Sequence, residues 1–368
     1  LVCFIDPLRA ESKEAVLKCK KAGVEVNMVT GDHPATALFI AKELGIASSE
    51  KDLITGEKLG PVELEITPEF INLVSSAKVF AGVSPLQKLK IIKALMQAGH
   101  FVAVTGDGVN DAPALKQANI GVAMGSGTDI TKETATMIVA DDNFSSIVSG
   151  VEEGRFAYDN VRKVVYFVIS SGIAEIVLFI LTILGNIPLP LFAAQLLWLN
   201  VVTNGIQDIS LAFEPGEKDV MTRHPRSPKE GIFNKIMLSQ TLISGVFIGL
   251  VVFVVWVFSL RYLHLPEDSA RNLVLLLMVL FQNIHLFNCR SERLSTFKLS
   301  LKRNLILVFG VLAAHSLHLI VAHIPVMQKV LKISPISFKQ WIILFILASS
   351  VLLLMEVFKY FRRLVKEK

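Results

Sequence analysis

The sequence has 368 residues, which is enough for two or three domains at roughly 150 residues each. Hydrophobic residues make up 52% of it and charged residues 19%, whereas soluble proteins carry about 25% charged residues. With only three cysteines, widely spaced, this composition excludes a disordered, fibrous or disulfide-stapled protein.

The net charge of +5 is unevenly distributed. Residues 1–162 contain 16 Lys and Arg against 21 Asp and Glu, whereas residues 163–368 contain 21 against 11. A basic excess in the more apolar half is typical of membrane proteins, because their cytoplasmic loops collect Lys and Arg. We therefore expect membrane lipid as a partner and no nucleic acid.

Short apolar runs alternate with amphipathic segments through residues 1–162. Alternating strands and helices favour an α/β domain with a doubly wound parallel sheet. The predicted strands are 1–5, 24–30, 78–83, 100–105 and 120–124. The predicted helices are 11–22, 34–44, 85–98, 110–118 and 129–137.

Polar residues follow three of these predicted strands. They are Asp6, the segment 30–32 and the segment 106–111. Parallel sheets bind ligands at the carboxyl ends of their strands. A single Gly-Asp-Gly is more often a solvated turn, but three such strand ends in one domain favour a binding site.

The residue types at these ends suit phosphoryl transfer. Asp107 and Asp111 offer oxygen ligands of the kind that Mg²⁺ takes alongside water and phosphate. Lys88 would offset the charge of a transferring phosphoryl group, and the Thr30 hydroxyl would donate a hydrogen bond to it.

Residues 163–368 predict a membrane domain of six helices, because a crossing needs about 20 apolar residues. The predicted crossings are 164–184, 191–213, 237–260, 272–289, 304–324 and 340–358. The loops on one side and the C-terminal tail carry fifteen Lys and Arg, and the loops on the other side carry five. This bias predicts that the C-terminus and residues 1–162 are cytoplasmic.

Several polar residues fall inside the predicted crossings, where they are costly and commonly functional. Asn200, Asn204 and Asp208 recur every four residues and so share one helix face. Glu175, Thr203 and Gln282 lie on the same or other crossings. Such oxygens can bind a hard cation, although Asn and Gln also join helices by hydrogen bonds.

Several motifs resemble the P-type ATPases. They are DPLR at 6–9, MVTGD at 28–32, TGDGVNDAPAL at 105–115, ADDNF at 140–144 and VEEGR at 151–155. QLLWLNVVTNG at 195–205 resembles the sixth transmembrane helix of the calcium and sodium/potassium pumps, and RSPKE at 226–230 resembles their following loop. The resemblance covers the whole chain and implies a haloacid-dehalogenase-like phosphorylation domain with a stalk, followed by transmembrane helices 5–10.

The resemblance also implies roles for individual residues. Asp107 would bind Mg²⁺, supported by Asn110 and Asp111. Lys88 and Thr30 would contact the phosphoryl group of ATP. Arg9, Gly31 and Asp32 would lie on the nucleotide side. Glu175, Asn200, Thr203, Asn204, Asp208 and Gln282 would bind the transported cation.

The D-K-T-G-T motif, whose aspartate attacks ATP in that family, does not occur in the sequence. Neither do the nucleotide domain, the actuator domain or the first four transmembrane helices. We therefore expect a fragment that is inactive alone and has the missing N-terminal half of the same protein as its partner.

The transported ion is expected to be Ca²⁺, and the membrane to be the plasma membrane. Gly172, Asn204 and Gln282 stand where the calcium pump has an asparagine, an aspartate and a glutamate. Fewer carboxylates predict at most one Ca²⁺, because affinity for a divalent ion depends on ligand charge. The alternatives are a pump for Na⁺, K⁺ or protons, or a non-catalytic membrane protein with a regulatory role. A membrane-tethered phosphatase is less favoured, since Asp6 lacks the D-x-D spacing.

Overall fold

The computed structural model describes residues 8–62, 65–227 and 230–366. These residues form two compact units. The first unit holds the chain up to Arg155 together with a segment that begins at Glu217, and the second unit holds the remainder. The chain passes from the first unit to the second inside one long helix, a few residues before the boundary predicted after residue 162.

The first unit alternates short strands with helices. Its strands are β1 Met28–Val29, β2 Leu53–Thr55, β3 Val79–Ala81, β4 Ala103–Gly106, β5 Ile120–Met124 and β6 Met137–Val139. Its helices are α1 Ala10–Lys21, α2 Pro34–Glu43, α3 Gly56–Leu59, α4 Pro68–Ser76, α5 Pro85–Gln97, α6 Ala112–Gln117 and α7 Asp129–Thr134.

These strands form two three-stranded sheets, ordered β1-β3-β2 and β4-β5-β6. All four strand pairs are parallel, which confirms the α/β prediction. The predicted strand 1–5 lies outside the described residues. The strands predicted from the sequence did not include β2 or β6. The predicted helix 129–137 is wrong at its end, because the chain leaves α7 after Thr134 and Met137 pairs with Val122 of β5.

Local signals set the helix ends as predicted. Pro34 begins α2, and α5 begins behind a reciprocal cap in which Ser84 and Gln87 accept each other's backbone N–H groups at 2.9 and 3.3 Å. Gly45 and Gly99 follow α2 and α5 with φ of +76° and +91°, a conformation that glycine adopts without a steric penalty.

The second unit is helical. Helix α8, Phe144–Leu184, is the long helix that enters it. The following elements are α9 Ala193–Leu197, a π-helical segment Trp198–Thr203, α10 Asn204–Ala212, α11 Lys235–Arg261, α12 Glu267–Cys289, α13 Leu305–Val321, α14 Pro325–Leu331 and α15 Phe338–Lys366.

Four of these helices, α8, α11, α12 and α15, are long and apolar enough to cross a membrane. The axes of α13 and α14 meet at a bend of 97°, and the two helices would add a fifth crossing if together they form a single broken span. The chain is therefore a multi-pass membrane protein, and the number of six crossings stays a prediction. The predicted crossing 191–213 corresponds to α9, the π-helical segment and α10.

Helix α12 is the most enclosed element of the second unit, and nearly all its side chains from Ala270 to Cys289 are buried. Helix α11 packs closely on α8 through two glycines one turn apart. A Cβ at Gly245 would lie 2.7 Å from the Ser170 carbonyl oxygen, and one at Gly249 would lie 2.7 Å from that of Ala174. Small residues at this spacing let membrane helices approach closely.

Candidate functional site

Asp107 lies in the tight loop that follows β4. Gly106 is so near Asp111 that a Cβ at this glycine would stand 2.5 Å from the Asp111 Cβ. The Asp107 carbonyl oxygen accepts a hydrogen bond from the Thr128 N–H at 2.9 Å. The Asp107 side chain is exposed, and among the described residues it has no hydrogen bond or ion pair. The backbone therefore fixes this residue while its carboxylate can accept a ligand.

An ion pair joins the loop after β4 to the helix after β3. Lys88 Nζ, in the first turns of α5, lies 2.9 Å from Asp111 Oδ1, and the two side chains are only 19% and 17% exposed. The Gly108 N–H donates to Asp111 Oδ2 at 3.4 Å. Asn110 is exposed in the 3₁₀ turn between the two aspartates. The pair therefore brings together two predicted site residues, one on the helix that follows β3 of the first sheet and one in the turn that follows β4 of the second sheet.

The segment after β1 lies beside the connection between β3 and α5. The Thr30 hydroxyl donates to Asp32 Oδ2 at 2.8 Å, and the Asp32 N–H donates to Thr30 Oγ1 at 3.1 Å. The Val83 N–H donates to the Thr30 carbonyl at 3.2 Å, which ties this segment to the connection that leads into the α5 helix. Gly31 and Asp32 are exposed. Thr30 is thereby fixed beside the start of the helix that carries Lys88.

Arg9 is bonded to a different segment of the first unit. Its Nη1 donates to the Asp142 carbonyl, and within the described ranges no hydrogen bond or ion pair links it to residues 30–32. The Ser126 N–H donates to Asp142 Oδ1 at 3.0 Å, and this backbone hydrogen bond lowers the pKa of the Asp142 carboxyl group. The nucleotide-side role of Arg9 stays a prediction.

The donor set at the strand ends fits Mg²⁺. No group of three or more His, Cys, Asp or Glu side chains in the described parts of the chain could hold a metal ion. However, Mg²⁺ is usually held by one or two carboxylates and completes its shell with water and phosphate. Asp107 meets that requirement, with the glycines at 106 and 108 leaving room beside it. Asp111, paired with Lys88, would support it.

A chain of polar side chains lies in the second unit. Asn200 Nδ2 donates to Glu175 Oε1 and Oε2 at 3.2 and 3.1 Å, and Asn204 Nδ2 donates to Asn200 Oδ1 at 3.1 Å. Asn200 lies in the π-helical segment, and such segments often occur at functional sites. The π-helical segment ends at Thr203, and Gly205 lies in the regular helix that follows.

The other predicted ligands have buried oxygens without a hydrogen-bond partner among the described residues. They are Thr203 Oγ1, Asn204 Oδ1, Asp208 Oδ1 and Gln282 Oε1. Gln207 Oε1 is likewise buried and unpaired among the described residues, although Gln207 was not among the ligands predicted from the sequence. Its position one turn from Thr203 was the available signal. Gln207 Nε2 donates to Asn283 Oδ1, which joins α10 to α12.

Two family models match the chain. The model of the haloacid dehalogenase-like hydrolases matches residues 2–119, which include the strand-end site. The model described as the C-terminus of cation transporting ATPases matches residues 188–361, which include Asn200 to Asp208 and Gln282.

Curated relatives match nearly the whole chain. A calcium-transporting ATPase of Bacillus subtilis is 40% identical over 360 residues, covering 95% of this chain and 40% of the relative. The calcium-transporting ATPase type 2C member 1 of Homo sapiens is 38% identical over 365 residues, covering 99% and 39%. The probable cation-transporting ATPase F of Mycobacterium tuberculosis is 37% identical over 361 residues, covering 95% and 39%.

The chain thus spans about two fifths of the length of these relatives. The matches confirm the family to which the motifs at 28–32 and 105–115 pointed. The chain belongs to the cation-transporting P-type ATPases and corresponds to a C-terminal portion of a type II member.

Proposed function

We propose that this chain forms part of an ATP-driven pump that moves a cation across a membrane through an aspartyl-phosphate intermediate. The observation that carries this proposal is the presence of two different sites in one chain. The Lys88–Asp111 pair lies at the strand ends, and the Glu175–Asn200–Asn204 chain lies in an apolar helical unit. A phosphatase needs only the first site, and a passive membrane protein needs neither.

In this proposal ATP is the substrate, and the nucleophile is an aspartate of a D-K-T-G-T segment outside the 368 residues. Its attack forms an acyl phosphate bond and releases ADP. Lys88 would stabilise the negative charge that develops on the phosphoryl oxygens. The Thr30 hydroxyl, which donates to Asp32 in the structure, would donate to a phosphoryl oxygen instead. Asp107 would hold Mg²⁺, which neutralises phosphate charge when bound.

The transported cation would bind between the helices of the second unit. Its ligands are proposed to be Glu175, Asn200, Thr203, Asn204, Asp208 and Gln282. We propose Ca²⁺ as the ion, because relatives from Bacillus subtilis and Homo sapiens are calcium-transporting ATPases. Two carboxylates among six side chains favour a single Ca²⁺.

We further propose that the first unit and the C-terminus face the cytoplasm of a cell whose plasma membrane holds the protein. The support is the distribution of basic residues, with fifteen Lys and Arg in the loops and tail of one side and five in those of the other.

The test is phosphoenzyme formation by a full-length pump that carries this sequence, measured with labelled ATP over Ca²⁺, Na⁺, K⁺ and pH. We expect phosphorylation of the wild type to require Ca²⁺ and to reach its maximum at micromolar Ca²⁺. In Glu175→Gln and Asp208→Asn, micromolar Ca²⁺ should no longer be enough to reach that maximum. Gln240→Leu, which removes a buried glutamine from α11, is the matched control and should keep the wild-type Ca²⁺ dependence. If phosphorylation is independent of Ca²⁺ but depends on Na⁺, K⁺ or pH, the transported ion is Na⁺, K⁺ or the proton and not Ca²⁺.

A further inference from the structure

The C-terminal end of α15 carries a cluster of basic side chains. A pocket of about 90 Å³ lies there, with walls from α15 and from the segment that follows α12. The lining residues are Glu292, Arg293, Lys359, Arg362 and Arg363. Glu292, the acidic residue of this set, is already engaged, because its two carboxylate oxygens accept hydrogen bonds from Arg162 at 3.0 and 3.1 Å. The pocket therefore carries a positive charge that its own carboxylate does not balance.

The arginines of this pocket keep hydrogen-bond donors for a ligand. Arg362 Nη1 donates to the Glu292 carbonyl at 3.3 Å, and Arg363 Nη2 donates to the Arg293 carbonyl at 3.0 Å. A guanidinium group has five N–H donors, so one such bond leaves most of them available. The Arg293 side chain is exposed and forms no hydrogen bond or ion pair with the rest of the described chain. Because guanidinium groups bind phosphate through paired N–H donors, phosphate is the anion that this pocket fits.

An apolar groove lies on the same helix, nearer its middle. It has a volume of about 560 Å³ and is lined by Phe297 and by side chains of α15 between Ile346 and Leu353. The Ser349 and Ser350 hydroxyls in this stretch donate to backbone carbonyls of their own helix, which leaves the groove apolar in character. Helix α15 is long and apolar enough to cross a membrane. The groove therefore suits a hydrocarbon chain.

The groove and the basic pocket share one face of α15. Positions 349, 352, 356, 359 and 363 are spaced by three or four residues and form one stripe along the helix. The groove ends at Leu353 and the pocket begins at Lys359, six residues or about 9 Å further along the axis. The interfacial layer of a bilayer is roughly 5–8 Å deep on each side. A hydrocarbon chain in the groove would therefore place a polar head group at the pocket.

We propose that this face of α15, together with the segment 292–297, binds a phospholipid whose head group has a net negative charge. Its phosphate would accept hydrogen bonds from Arg293, Arg362 and Arg363, and one acyl chain would lie in the groove beside Phe297. The lipid belongs to the leaflet on the side of the C-terminus. The topology under the proposed function makes this the cytoplasmic leaflet, which is the one that holds anionic lipids.

The charge of the pocket decides the class of phospholipid. Lys359 is only 3% exposed and adds a fourth cation to the pocket wall, where its Nζ donates to the Asn288 carbonyl at 3.1 Å. Glu356, one turn before Lys359, accepts a hydrogen bond from the Thr296 N–H at 2.7 Å. A zwitterionic head group would bring its ammonium group into this excess of positive charge, whereas a head group of net negative charge offsets it. Basic residues near a membrane surface favour anionic lipid for this reason.

The experiment measures lipid-dependent stabilisation of the 368-residue chain in detergent, without ATP or Ca²⁺. The thermal unfolding midpoint is followed while phosphatidylglycerol, or phosphatidylcholine with the same acyl chains, is added at constant ionic strength. Glycerol phosphate is added in a third series as a head group without acyl chains. We expect phosphatidylglycerol to raise the midpoint in a saturable way that neither phosphatidylcholine nor glycerol phosphate reproduces.

Arg293→Gln with Arg363→Gln is the central double variant, and Lys235→Gln with Lys302→Gln is its charge-matched control. Lys235 and Lys302 are exposed and do not line the pocket. We expect the central variant to need about tenfold more phosphatidylglycerol, or more, for half of the stabilisation, while the control needs the wild-type amount. If the double variant does not fold, Arg293→Gln alone replaces it and should weaken the response in the same direction.

Ser349→Phe tests the groove independently of the charges. The larger side chain would fill the groove and leave every cation of the pocket in place. Because the acyl chain then loses its place, we expect this variant to weaken the response to phosphatidylglycerol as well. A site for a free anion would not be affected.

The outcomes distinguish the possible ligands. A response to phosphatidylglycerol that weakens in the central variant and in Ser349→Phe, but not in the control, supports the lipid site. Equal stabilisation by phosphatidylcholine, or equal weakening in the control, overturns it. An unchanged response in Ser349→Phe, or equal stabilisation by glycerol phosphate, means a site for a soluble anion and also overturns it. Because ATP and Ca²⁺ are absent, failure of the lipid site leaves the pump proposal standing, and failure of the pump proposal leaves the lipid site standing.

Discussion

A buried ion pair between Arg290 and Glu214 should make the stability of the second unit sensitive to the removal of either charge alone. The Arg290 Nε and Nη2 atoms lie 3.0 and 2.9 Å from the two Glu214 carboxylate oxygens, and the side chains are 1% and 2% exposed. Asn304 Nδ2 donates to Glu214 Oε2 at 2.9 Å, and Arg290 also donates to the carbonyls of Leu299 and Ser300. The pair thus joins the segments that follow α10 and α12 to the start of α13.

Arg290→Met removes one charge and leaves the Glu214 carboxylate buried with Asn304 as its one remaining partner among the described residues. Breaking a buried pair on one side costs about 3–5 kcal/mol in unfolding free energy. At about 2–4 °C per kcal/mol, the scale for units of this size, the unfolding midpoint should fall by roughly 6–20 °C. In the double variant Arg290→Met with Glu214→Leu, the unfolding midpoint should fall by less than the sum of the decreases in the two single variants, because the double variant leaves no unpaired charge.

The assay is thermal unfolding of the purified chain in detergent, followed by circular dichroism. Glu267→Gln is the control. The Glu267 carboxylate pairs with Arg271 but is 50% exposed, so its loss should cost less than about 1 kcal/mol. Equal midpoints for Arg290→Met and Glu267→Gln, or additive losses in the double variant, would contradict the reasoning.

Three further predictions concern the first unit. The chain alone, incubated with labelled ATP and quenched with acid, should carry no label, because D-K-T-G-T is absent from its sequence; label on Asp107 would refute this. In a full-length pump, Asp107→Asn and Lys88→Ala should each lower the phosphorylation rate by about 10²–10³ while folding survives, and Asp32→Asn should lower it less; normal turnover of Asp107→Asn with Mg²⁺ would disprove the metal assignment. Hydrogen bonds from the Ser48 and Ser49 N–H groups lower the pKa of Asp52, so its ionised form stabilises the folded state at neutral pH. The difference in unfolding midpoint between wild type and Asp52→Asn should therefore shrink as the pH falls below the ordinary value of about 3.9, and a difference independent of pH would contradict it.

Much of the local structure and of the residue inventory was predictable from the sequence. Caps such as Ser84 with Gln87, and glycines such as Gly99, act on residues next to them in sequence. The helix ends that they set can therefore be predicted without knowledge of the tertiary structure. The same holds for Glu175 and Asn200, because a polar residue in an apolar run is conspicuous by composition alone. The motif at 105–115 was long enough to identify the family.

Features that depend on distant parts of the chain needed the tertiary structure. Strand β6 exists because Met137–Val139 pairs with β5, and three residues without alternation of polar and apolar side chains are too short to predict that pairing from sequence. The contact of Lys88 with Asp111, and that of Gln207 with Asn283, joins elements far apart in sequence. Whether a polar atom ends up paired or unpaired is decided by what packs against it, and this is why the side-chain oxygens of Gln207 and Gln282, unpaired among the described residues, could not be predicted from the sequence.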